Sequence, residues 1–171
     1  MRLFAAILLP APIKEQLLQA QELLRAHGSG NFTRFENLHL TLAFLGETQQ
    51  EEAAIQAIRN TDSASFLLQF SQPGNFDHLY WAGITLSPAL SALQERLVRN
   101  LSAQGFSLET RQYVPHITLC RNYRPVGNLP LAEIKELLQP LSFTVDCINL
   151  MESTHNNGQL LYCQRFQKEL L

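Results

Sequence analysis

The chain has 171 residues, 46% of them hydrophobic and 16% charged, with a formal net charge of −2. That composition suits one compact domain with a sizeable core and sets aside disordered and fibrous classes. It lacks the basic excess of a protein that neutralises a long nucleic-acid backbone, so a nucleic-acid ligand is expected to be small or met only at one terminus.

Leu3 to Leu9 is a short apolar run ended by Pro10, which predicts a strand. From Pro12 to Ala26, Ile13, Leu17, Leu18, Ala20 and Leu24 recur at helical spacing, and Gly28 and Gly30 stop the helix. "HLTLAFLG" (39–46) reads as a strand. The segment 48–60 reads as a helix, with Thr48 and Glu51 as a capping box. "SFLLQFSQPGNF" (65–76) returns to strand, broken at Pro73 and Gly74. A strand at 79–86, a helix at 87–105 and a strand at 114–121 follow. Residues 130–139 suggest a helix, and 142–151 and 159–166 two strands around a polar turn.

Cys120, Cys147 and Cys163 form an odd count without C-x-x-C spacing, which points to a reducing compartment and no metal cage. Arg2 and the following apolar run imitate a small secretion signal, but Pro10 ends the run before any cleavage motif. Without secretion, the "NFT" (31–33) and "NLS" (100–102) sequons carry no weight. With no stretch of about 20 apolar residues, a cytoplasmic chain that meets no membrane is expected.

An internal repeat emerges at an offset of 77 residues. Ala5, Ile7, Leu9, Ala26, Gly28, Arg34, His39, Thr41, Leu42 and Phe66 meet Ala82, Ile84, Leu86, Ala103, Gly105, Arg111, His116, Thr118, Leu119 and Phe143. The chain reads as a duplicated strand–helix–strand–helix–strand unit, with lobes at about 1–77 and 78–171 related by a pseudo-twofold. "FAAILL" then has an internal counterpart in "WAGITL", which argues against a signal peptide.

Strand alternation places His39 with Thr41 and His116 with Thr118, each pair on one face. By the same parity Leu40, Leu42 and Phe44 lie behind the first pair, Arg121 behind the second, and Cys120 beside His116. Two imidazoles titrating near neutrality can serve as acid and base, and two hydroxyls can hydrogen-bond a phosphate. Together these groups suit metal-free phosphodiester hydrolysis.

"HLTL" (39–42) and "HITL" (116–119) resemble the paired motifs of the two-histidine (2H) phosphoesterases. "RLFAAILLP", "NLHLTLAFLGE" and "PHITLCR" are similar to the RNA 2′,3′-cyclic phosphodiesterases, formerly called 2′-5′ RNA ligases. The resemblance implies a bilobal α+β fold with two antiparallel sheets lining a central cleft, and opening of a 2′,3′-cyclic phosphate to a 2′-phosphate. It implies His39 as proton donor, His116 as proton acceptor, and Thr41 and Thr118 as phosphate contacts. Arg121 holds the family's arginine position, a phosphate or nucleotide contact that needs a bend to reach the site. The expected partner is an RNA terminus or small nucleotide carrying the cyclic phosphate, with no cofactor, no metal, no obligate protein partner and a monomeric state. Two alternatives stay open: 2′-5′ ligation as the main activity, and a non-catalytic module for a 2′-phosphate or RNA end.

Phe44 reads first as core and second as a base-stacking surface. Arg34 and Arg111 share a repeat position, which allows either symmetric roles near the cleft or solvated surface sites. His27, His78 and His155 read as solvent-facing, and Cys120 as a small buried residue or a wall of the site.

Overall fold

The computed structural model describes all 171 residues. In chain order the elements are β1 (Arg2–Leu8), α1 (Ala11–Ala26), β2 (Gly28–Phe32), β3 (His39–Glu47), α2 (Glu51–Arg59), β4 (Phe66–Phe76) and β5 (Leu79–Ile84). There follow α3 (Pro88–Ala103), β6 (His116–Pro125), α4 (Leu131–Leu138), β7 (Ser142–Val145), β8 (Cys147–Asn156) and β9 (Gln159–Glu169). A single 3-10 turn, Phe35–Asn37, leads into β3.

The strands form two antiparallel sheets, β3-β1-β8-β9 and β2-β6-β5-β4-β7. Each sheet draws strands from both repeats. Strand β8 completes the first beside β1, with Phe4 opposite Met151. Strand β4 completes the second beside β5, with Gly74 opposite Trp81. Moving Phe4 and Gly74 by 77 residues gives Trp81 and Met151, so the exchange obeys the pseudo-twofold of the sequence.

Helices α2 and α3 cover the first sheet through β3, β8 and β9; α1 and α4 cover the second through β2, β6 and β4. Leu90, Leu93, Leu97 and Leu101 of α3 recur on one stripe and are fully buried. Truncating any of them to alanine is expected to cost about 2–5 kcal/mol. Strand β1 is buried on both faces, which explains its unbroken apolar run. Leu3, Ala5 and Ile7 enter the main core, while Phe4 and Ala6 join Met151 in a small second cluster on the opposite face. That second face is the floor of the cleft. No helix is long and apolar enough to cross a membrane.

Several local expectations need correction. Gly28–Phe32, expected only to stop a helix, forms β2 along β6. Strand β4 runs unbroken through Pro73 and Gly74, because β7 pairs only with Phe66 to Gln69 and leaves the proline on an open edge. The expected strand 142–151 splits at Asp146 into β7 and β8, which belong to different sheets. Thr48 does not cap α2: its hydroxyl accepts from the Gln50 N–H at 3.0 Å, and Gln50 occupies the N-cap. Ser87 does cap α3, accepting from the Leu90 N–H at 3.2 Å.

Candidate active site

Both motif strands carry a β-bulge at the same repeat position. Ala6 faces Thr41 and Ala5 faces Ala43, so Leu42 has no partner across β1. Trp81 faces Thr118 and Tyr80 faces Cys120, so Leu119 has none across β5. An extra residue in one strand resets the side-chain alternation beyond it. Phe44 therefore shares the cleft face with His39 and Thr41, where it is 66% exposed and its ring lies 6.3 Å from that of Phe4. Its counterpart Arg121 likewise turns to the side of His116. The simple alternation that put both behind the site is overturned. The same reset sends Cys120 into the core, where burial pushes its thiol up to about 11.

Each imidazole is held by the carbonyl two residues before it. His39 Nδ1 lies 2.7 Å from the Asn37 carbonyl, and His116 Nδ1 lies 2.7 Å from that of Val114. A carbonyl only accepts, so Nδ1 carries the proton and Nε2 is the nitrogen that titrates. His39 Nε2 sits 2.8 Å from Thr41 Oγ1; no hydrogen bond joins His116 to Thr118. The rings also rest on aromatic beds. Phe4 lies 5.0 Å from His39, and its counterpart Trp81 lies 5.8 Å from His116. Tyr162 of β9 meets His39 edge-on at 5.0 Å, and Phe76 of β4 meets His116 the same way at 5.1 Å.

Strands β3 and β6 approach one another across the axis, and Tyr113 ties them by donating its hydroxyl to the Thr41 carbonyl at 2.7 Å. Burial raises the Tyr113 pKa well above the ordinary phenol range, so it stays a neutral donor. Burial also lowers the pKa of both histidines. The carbonyl bonds oppose that shift, while the positive Arg121 adds to it at both rings. His39 additionally feels His116 and Lys14. Arg121 has no carboxylate within ion-pair distance, which leaves a cation beside two imidazoles and two hydroxyls. Such a constellation complements a small anion.

The two remaining arginine candidates are each paired with a carboxylate. Arg34 pairs with Glu36 at 2.6 Å and donates to Gln159 at 2.7 Å, while Arg111 pairs with Glu109 at 3.1 Å. His78 and His155 are exposed, and His27 Nδ1 bonds the Leu23 carbonyl of α1. No group of three or more His, Cys, Asp or Glu side chains is arranged to hold a metal. Sequence reasoning missed the aromatic beds, although Phe4 and Trp81 stand in the repeat register that revealed the histidines. Asn37 and Val114, whose carbonyls hold the rings, stand in it too.

The model of the 2′-5′ RNA ligase superfamily matches residues 9–157. The RNA 2′,3′-cyclic phosphodiesterase of Thermotoga maritima is 32% identical over 165 residues, spanning 90% of this chain and 87% of its own. That of Escherichia coli K12 is 32% identical over 134 residues, spanning 75% and 76%. Among solved structures, a phosphoesterase superposes with a TM-score of 0.84 at 28% identity, covering 99% of this chain and 97% of the other. E. coli LigT complexed with 3′-AMP superposes with a TM-score of 0.80 at 28% identity, covering 99% and 96%. The family match spans most of the chain and includes both histidine motifs, so the chain belongs to the 2′-5′ RNA ligase superfamily.

Proposed function

We propose that this cleft hydrolyses a 2′,3′-cyclic phosphate at an RNA end or on a nucleoside, leaving a 2′-phosphomonoester. The observation that carries the reading is the symmetric pair of imidazoles, each pinned through Nδ1 and both close to an unpaired Arg121.

The chemistry needs one proton removed and one delivered. His116 Nε2 takes a proton from water, whose oxygen attacks phosphorus; the P–O3′ bond breaks, and protonated His39 gives its Nε2 proton to the departing oxygen. The 2′ oxygen keeps the phosphate. Thr41 and Thr118 donate to the phosphoryl oxygens, and Arg121 offsets the charge that builds on them. The steps need no metal ion to activate the water, and turnover should persist in excess chelator. One negative phosphate on a short ligand fits a chain of net charge −2 better than a long backbone does. The internal pseudo-twofold supplies the paired site within one chain, so a monomer suffices.

The likeness to proteins named RNA 2′,3′-cyclic phosphodiesterase supports hydrolysis, and the superfamily's name keeps ligation in view. In ligation a 5′-hydroxyl would take the place of water at His116. An oligonucleotide ending in a cyclic phosphate, incubated with excess 5′-hydroxyl oligonucleotide, separates the two. A 2′-phosphate end as the main product supports hydrolysis; a 2′-5′ joined strand as the main product overturns it.

A further inference from the structure

The paired bulges decide which side chains face the cleft, so what fixes each bulge bears on the chemistry. A regular ladder would compete with them. One residue of slip in β6 would exchange Arg121 for Cys120 at the cleft wall. At Leu119 the carbonyl accepts from the Thr33 N–H at 3.0 Å and from Gln21 Nε2 at 3.0 Å. The same amide nitrogen donates to the Thr33 carbonyl at 2.8 Å. Gln21 thus spends both side-chain hydrogens on stapling the bulge to the segment after β2. It is 2% exposed and is the one polar residue on the buried stripe of α1, beside Leu17, Ala20 and Leu24. A buried amide is costly unless bonded, and here its bonds go to the backbone that aims Arg121.

The other half has a matching contact from another position. Gln94 Nε2 of α3 donates to the Leu42 carbonyl at 3.2 Å, so the first bulge is also tied to a helix of the opposite repeat. Gln21 and Gln94 are not repeat-related: their counterparts at an offset of 77 are Val98 and Leu17. The two halves reach the same bulge carbonyl by separate routes, which singles out that carbonyl as the group being held.

We propose that Gln21 is a positioning residue that locks the Leu119 bulge and thereby turns Arg121 into the cleft, with Gln94 holding the Leu42 bulge behind Thr41 and Phe44. The proposal rests on the cyclic phosphodiesterase reading of the cleft. A double-mutant cycle tests it, with kcat/KM on a nucleoside 2′,3′-cyclic phosphate and Tm recorded for wild type, Gln21→Met, Arg121→Ala and the double variant. Gln21→Met is expected to lower kcat/KM at least tenfold, with no further loss in the Arg121→Ala background. The loss from Gln94→Met is expected to multiply with that from Arg121→Ala. Gln21→Met activity within twofold of wild type, or losses from Gln21→Met and Arg121→Ala that multiply, would overturn the proposal. Should Gln21→Met fail to fold, Gln21→Asn keeps the amide with a shorter reach and enters the same cycle. Should wild type show no turnover, the reading of the site fails separately. The cycle is then read on nucleoside 2′-phosphate binding by calorimetry, with the same non-additivity expected.

Discussion

The two halves of the cleft share a frame and differ in what they place on it. In both, a carbonyl two residues upstream fixes the imidazole, a bulged leucine resets the strand, and an aromatic ring from the neighbouring strand supports the histidine. Each histidine also meets a second ring edge-on, Tyr162 at His39 and Phe76 at His116. The first half then adds Phe44 and a hydroxyl bonded to His39. The second adds Arg121 and leaves Thr118 free of its histidine. Duplication thus builds a symmetric cradle for two imidazoles, and the residues beyond the bulges make one side apolar and the other cationic.

The largest effects should come from the shared frame. His39→Ala and His116→Ala are each expected to lower kcat by about 10²–10⁴-fold, measured on a cyclic nucleotide. Equal turnover in both variants and wild type would break the comparison at its root. The threonines sharpen it. Thr41→Val removes the partner of His39 Nε2 together with a proposed phosphate contact, with an expected loss of about 10²-fold or more. Thr118→Val removes only the proposed phosphate contact and should lose less; an inverted order would deny the asymmetry.

Gly74 tests the aromatic bed on one side alone. A Cβ there would lie 2.2 Å from the Trp81 ring, so Gly74→Ala must displace the indole that supports His116. We expect about 1–3 kcal/mol of lost stability, read from chemical denaturation, together with reduced kcat. The smallest effect concerns pH. Both histidines have pKa values below the ordinary 6.5, so neutral imidazole persists below that pH and the acidic limb of kcat/KM should fall there. Arg121→Gln removes a positive charge that disfavours imidazolium at both rings. It should move both limbs of the profile to higher pH; an unchanged profile would remove Arg121 from their vicinity.

Much of this was legible in the sequence because it is local or repeated. Apolar periodicity outlines the helices, and the 77-residue register pairs the two histidine motifs. What alternation could not supply were the bulges, since nothing in "HLTLAF" or "HITLCR" marks the leucine that loses its partner. Phe44 and Arg121 were consequently put on the wrong face, and of the two readings of Cys120 the buried one holds. Strand β2 was hidden because "GSGNF" offers only Phe32 as an apolar signal, and its order comes from pairing with β6. Gln21 reads as an ordinary polar helix residue until the fold buries it against a backbone it cannot reach in sequence, 98 residues away.

The most direct measurement is 31P NMR of a nucleoside 2′,3′-cyclic phosphate incubated with the protein in excess chelator. The cyclic resonance should give way to a 2′-phosphomonoester alone, and the His39→Ala/His116→Ala double variant should leave it standing. Equal conversion by that variant would contradict proton transfer by the paired histidines, and a 3′-phosphomonoester would contradict cleavage of the P–O3′ bond.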